Sequence, residues 1–158
     1  MDIGGDIRKQ LADDWIPAIY REKVRTQRTR SFAMDVPERQ NAAEILHTLL
    51  GIELKVGKKR FTCPDLATAR YLRVFARIGC RNIAIPYDIT KISVLADELE
   101  VGWQKLLLIH EENVRQQSPQ AKGRARSALI REVRAEIAET GPGDVMPEFK
   151  NSTRQRIS

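Results

Sequence analysis

Glu53 and Lys55 alternate with apolar residues in Ile52-Glu53-Leu54-Lys55-Val56, and Pro64-Asp65 follows a few residues later. Metal-dependent phosphodiester hydrolysis asks for two carboxylates to hold Mg²⁺ and a lysine to orient water, so this trio is the first place to look for catalysis. The order argues against it. In nucleases built this way the Pro-Asp element precedes the Glu-x-Lys strand, whereas here it comes after. His47, Cys63, Cys80 and His110 are the remaining metal-capable side chains. They fall on four different predicted elements, with none of the close pairing that structural zinc sites use, so the reading is two small buried thiols, two ordinary histidines and no metal. Gly51 to Lys58 fails as a phosphate-binding loop. Five residues separate its glycines, and Lys59 follows Lys58 where Ser or Thr would be required. No Gly-x-Ser-x-Gly elbow occurs, no Cys or Ser sits beside a His in a recognisable motif, and nothing points to a cofactor.

Cationic side chains are the stronger signal. Lys58, Lys59 and Arg60 are consecutive at a predicted hairpin turn, with Lys55 nearby, and three cations at a turn tip can reach a phosphate backbone. Lysines there also discourage edge-to-edge strand pairing. Arg70, Arg73 and Arg77 share one helical face at i, i+3, i+7, with Arg81 following. After Asp65 this helix has no acid to pair with them. An unpaired guanidinium row suits phosphate, because each fork can engage two oxygens. The competing reading is that Asp97, Glu98 and Glu100 on a later helix neutralise the row within the fold. A further basic group, Lys122, Arg124, Arg126, Arg131 and Arg134, lies near the C-terminus.

The elements that must position these residues follow from periodicity. Ile16, Tyr20 and Val24 form an apolar stripe at four-residue intervals after Asp13-Asp14, which predicts an N-terminal amphipathic helix with Arg21, Arg25 and Arg28 on another side. Phe32, Met34 and Val36 alternate as in a short strand. Pro37 then opens a predicted helix carrying Ala42, Ile45, Leu46, Leu49 and Leu50, closed by Gly51. Residues 52–56 and 60–63 read as a hairpin, 64–78 as a helix ended by Gly79, and 82–87 as a last strand. Strand, helix, strand, strand, helix, strand is the order of a small ferredoxin-like (βαββαβ) α+β fold. If the first strand is false, a ββαβ core remains. In either case an N-terminal helix and two C-terminal helices surround it.

A long helix over 90–113 carries one apolar stripe through Ile92, Leu95, Leu99, Trp103 and Leu106. Val94, Val101 and Leu108 add a second line at intervals of seven. A surface this wide exceeds what a small sheet covers, so either the N-terminal helix packs against it as well, or the line is an interaction face for a partner protein or a second copy. Gln116 to Gly123 reads as a linker before a basic helix over 124–139. From Asp144 only Val145, Met146, Phe149 and Ile157 offer apolar anchors, the composition of a mobile tail. The expected organisation is therefore a single α+β domain over 1–114 followed by linker, basic helix and tail over 115–158.

At 158 residues, 42% hydrophobic and 30% charged, the chain matches one globular domain and can bury a core without staples. No apolar run is long enough to span a bilayer. The first residues lack the basic-then-apolar pattern of an export signal, and the cysteines lack paired spacing. A cytoplasmic protein without disulfides is expected. The net charge of +6 is uneven. Residues 1–60 hold 12 Lys and Arg against 9 Asp and Glu, residues 61–114 hold 6 against 7, and residues 115–158 hold 9 against 5. Phe32, Phe61 and Tyr87 share the alternation phase of buried residues, so the open sheet face lacks the aromatics on which RNA-recognition domains stack bases. The expected function is non-catalytic binding of an anionic macromolecule, DNA or RNA, through backbone contacts. The alternative is an adaptor or assembly subunit docking on a protein through helix 90–113 and the C-terminal segment.

Overall fold

Asp65 and Asp88 each cap a helix, and between those two caps the chain follows the sequence closely. In the computed structural model, which describes residues 3–142, Asp65 accepts a hydrogen bond from the Thr68 N–H at 2.7 Å, and Asp88 accepts one from the Thr90 N–H at 3.0 Å. The elements run α1 (Ile3–Leu11), a 3₁₀ turn (Ala12–Asp14), α2 (Ile16–Ile19) continued by a π turn (Tyr20–Val24), β1 (Thr29–Ala33), β2 (Ala43–Thr48), β3 (Gly51–Val56), β4 (Lys59–Cys63), α3 (Leu66–Ile78), β5 (Asn82–Pro86), α4 (Ile89–Asn113) and α5 (Pro119–Thr140). No helix among the described residues is long and apolar enough to cross a membrane.

The strands form two separate antiparallel sheets. β1 pairs with β5, and β2-β3-β4 form a meander in which Thr48 faces Gly51 and Val56 faces Lys59. The class is α+β, but the ferredoxin-like order does not form, because the segment expected as its first helix is a strand. Ala42, Ile45, Leu46, Leu49 and Leu50 have helical spacing, yet residues 43–48 pair along their whole length with β3, and Leu49 and Leu50 sit at the two-residue turn. Gly51 takes φ +127° there, and the Thr48 hydroxyl accepts the Leu50 N–H and donates to the Gly51 carbonyl. The two leucines are almost wholly solvated, at 106% and 92% exposure. A ladder of main-chain hydrogen bonds to an adjacent strand has outweighed an apolar stripe with no surface to cover it.

The core is continuous from α1 to α5. Ile7, Trp15, Tyr20, Tyr71, Phe75 and Ile83 are fully or almost fully buried in it. β5 has a partner on one side only, and two phenols satisfy the other: Tyr20 accepts the Ala84 N–H at 2.9 Å, while Tyr71 donates to the Ala84 carbonyl at 2.5 Å. α5 begins at Pro119 behind a Ser118 cap, inside the stretch read as a linker, and contributes Leu129, Ile130, Val133 and Ile137 to the same core. At its other end Trp15 donates to Glu136 at 3.0 Å, and Arg8 pairs with Glu132 and Glu136. The tail from Asp144, with its expected mobility, lies outside the described residues.

Candidate nucleic-acid interface

The basic hairpin tip is partly occupied. Gly57 and Lys58 make the β3–β4 turn, with Gly57 at φ +63°. Lys59 pairs with Asp35, whose carboxyl it holds below the usual range, and Arg60 reaches Glu53 at 3.3 Å. Lys58 alone is exposed without a side-chain partner among the described residues. Glu53 and Lys55 lie on the outer face of the meander with Arg60 and Thr62, and Asp65 is taken by its cap. Among the described residues no three His, Cys, Asp or Glu side chains are grouped to hold a metal ion. Cys63 and Cys80 are buried free thiols, pushed up to about 11 and about 12 by burial, far from the range of reactive thiolates.

The arginine row on α3 faces α4 and is largely consumed there. Arg70 makes 2.5 Å and 2.7 Å pairs with Asp97 and Glu100, and Arg73 meets Glu100 at 3.1 Å. Burial pushes the Glu100 carboxyl up, but its hydrogen bonds to Arg70 and Arg73 outweigh this and hold it below the ordinary glutamate value. Arg77 finds no acid and donates to the Ala43 carbonyl at 3.2 Å, which ties α3 to β2. Glu98 turns the other way, to Lys23 at 2.5 Å. Tyr87 departs from the expected buried face. It lies just beyond β5, exposed, with the Arg28 guanidinium 5.3 Å from its ring centre. The outer face of the meander carries Glu44, Leu46, Glu53, Lys55, Arg60 and Thr62, so no aromatic stands there.

A third cationic group, only partly visible in the sequence, makes no ion pair among the described residues. Gln120, Arg124, Ser127 and Arg131 follow i, i+4, i+7, i+11 along one exposed stripe of α5, which sets the two arginines about 10.5 Å apart along the axis. The connector between β1 and β2 brings Arg39 beside this stripe. Arg39, Gln40, Ser127 and Arg131 line a cleft of about 200 Å³, and Ser127 and Arg131 are shared with a shallower depression of about 680 Å³ that reaches Arg124. Glu38 is the one carboxylate in either lining, and the side chains of Arg39, Arg124 and Arg131 have no hydrogen-bond or ion-pair partner among the described residues. Arg134 forms part of the wall and is fixed by donating to the Ile78 carbonyl at 2.8 Å. By contrast Lys122 and Arg126, on another side of α5, approach Glu111 at 3.9 Å and 3.7 Å.

The connector is held rigidly enough to aim Arg39. Gly79 ends α3 in a left-handed turn at φ +92°, with the Cys80 N–H on the Phe75 carbonyl and the Gly79 N–H on the Ala76 carbonyl. A Cβ on Gly79 would lie 2.3 Å from the Arg39 carbonyl oxygen, so only glycine lets the two backbones meet. The Asn41 side chain donates to the carbonyls of Pro37, Arg39 and Ala76 at 2.9–3.1 Å, and Arg81 donates to the Val36 carbonyl at 2.8 Å. Sequence reasoning placed Arg39 on a helix and so could not bring it to α5. The i, i+4, i+7, i+11 spacing on α5 was the available signal for the other half of the cleft.

Val94, Val101 and Leu108 stand on an outward line of α4, exposed by 57%, 44% and 68%. Comparison with protein-family models, with curated proteins and with solved structures gives no match to this chain.

Proposed function

We propose that this protein is a non-catalytic binder of nucleic acid that grips the phosphate backbone at the cleft between α5 and the β1–β2 connector. The observation carrying this reading is the group of three guanidiniums, Arg39, Arg124 and Arg131, which line the cleft and the depression adjoining it and have no carboxylate partner among the described residues. Guanidiniums already bound to acids would have to exchange one anion for another, whereas these can take phosphate oxygens directly, two per fork. Ser127, Gln120 and Gln40 supply neutral donors between them, the side-chain types that accompany arginine at phosphates. Without aromatics on the open sheet face, the reading is backbone contact rather than base stacking. Lys58 is the surviving free cation of the hairpin tip and is assigned a minor share.

Fluorescence anisotropy with labelled duplex DNA and single-stranded RNA tests the assignment. Arg124→Gln with Arg131→Gln is expected to weaken binding at low salt by at least tenfold, while Lys58→Gln with Lys59→Gln changes it by less than threefold. Unchanged binding by the α5 variant, or no binding by the parent at low salt, defeats the proposal. The alternative, protein docking, is favoured by one separate observation, the exposed apolar line on α4.

A further inference from the structure

Val94, Val101 and Leu108 repeat at intervals of seven, which on a 3.6-residue helix keeps them in one line about 10.5 Å apart. The charges beside that line decide what covers it. Two observed contacts establish one edge: Lys105 reaches Asp14 at 2.7 Å and Glu98 reaches Lys23 at 2.5 Å, so both lean toward the N-terminal helices. Asp97, held by Arg70, marks the other edge, toward α3. Now let a second α4 lie antiparallel on the first with the two-fold axis at Val101. Val101 then meets its own copy and Val94 meets Leu108. Along the N-terminal-helix edge Lys105 faces Glu98 of the copy and Lys91 faces Glu112, while on the α3 edge Asp97 faces the amide of Gln104. Each pairing adds an opposite charge or a neutral group, and none sets like charges together. A line that reads the same in reverse, apolar to apolar and cation to anion, has the self-complementarity of a two-fold interface. A foreign partner would impose no such symmetry on this surface.

We infer that α4 is a homodimer interface, in which two copies pack antiparallel through Val94, Val101 and Leu108 with the axis at Val101. This is independent of the nucleic-acid reading. Because these side chains are exposed, changing them should leave the monomer's fold intact. Sedimentation equilibrium of the full chain is expected to give twice the 18.0 kDa chain mass. Val101→Glu, which sets two carboxylates on the axis, is expected to return the single-chain mass with unchanged circular dichroism. Orientation is read by cysteine cross-linking: a mixture of Val94→Cys and Leu108→Cys chains should oxidise to the mixed dimer, and Val94→Cys alone should not cross-link through position 94. A parent that stays monomeric across a concentration series, a Val101→Glu chain that still doubles its mass, or self-cross-linking of Val94→Cys would overturn the inference. The first of these results would leave the line to another occupant.

Discussion

Arg70, Arg73 and Glu100 show why charge spacing along one helix is a poor guide to what a side chain does. The i, i+3, i+7 row on α3 has no acid of its own, and the acids that neutralise Arg70 and Arg73 come from α4, 27 to 30 residues later. This pairing has a consequence for pH. The folded Glu100 carboxyl is held below the ordinary value of 4.5, chiefly because the two arginine hydrogen bonds override the effect of burial. The unfolded chain therefore takes up the proton first. The stability contributed is complete above about pH 4.5 and is lost as pH falls through the lowered folded value. In Glu100→Gln the pairs are already weakened at neutral pH, so its melting temperature should start lower and fall less steeply with acid than that of the parent. Parallel curves for the two proteins would remove Glu100 from the acid response. That Val94, Val101 and Leu108 share one line was legible at this scale because a seven-residue repeat fixes a line on any helix. The freedom of Arg39, Arg124 and Arg131 was not, since it depends on which acids stand near them in space.

At the level of elements, α3 was readable because its ends carry specific chemistry, Pro64-Asp65 at its start and glycine at its C-terminus, and α4 because its apolar stripe runs through Ile92, Leu95, Leu99, Trp103 and Leu106. The β3–β4 hairpin was readable from strict alternation around Gly57. Residues 38–50 misled because two of the five apolar positions that define their helical stripe, Leu49 and Leu50, are turn residues whose side chains face water. α1 was invisible for a related reason. Few apolar anchors mark it, and Ile7 and Leu11 become core only once the rest of the chain surrounds them. Gly79 is the sharpest element-scale test. Gly79→Ala adds a methyl group where the Arg39 backbone already sits and forces a β-carbon into a left-handed turn. A destabilisation above about 2 kcal/mol is expected in urea unfolding, from strain and close contact together. The variant should also loosen nucleic-acid binding, because Arg39 loses its seat. A change below about 0.5 kcal/mol would mean that the connector is not clamped as described.

For the whole molecule, charge is the property that most needed three dimensions. A net +6 spread over 158 residues is modest, and the basic ends of the sequence flank a nearly neutral middle. Folding sorts that charge. Acids on α4 take up Arg70 and Arg73 of the α3 row and pair with Lys23, Lys122 and Arg126, and Asp14 takes Lys105, while Arg39, Arg124 and Arg131 beside the connector have no acid partner among the described residues. The central claim is that this surface neutralises phosphates. The most direct measurement is the salt dependence of binding to duplex DNA. Each phosphate contact contributes about 0.9 to the slope of log affinity against log salt, so replacing Arg39, Arg124 and Arg131 with Gln should flatten the slope by up to about 2.7. That flattening is expected with the fold retained. An identical slope in parent and triple variant would contradict it.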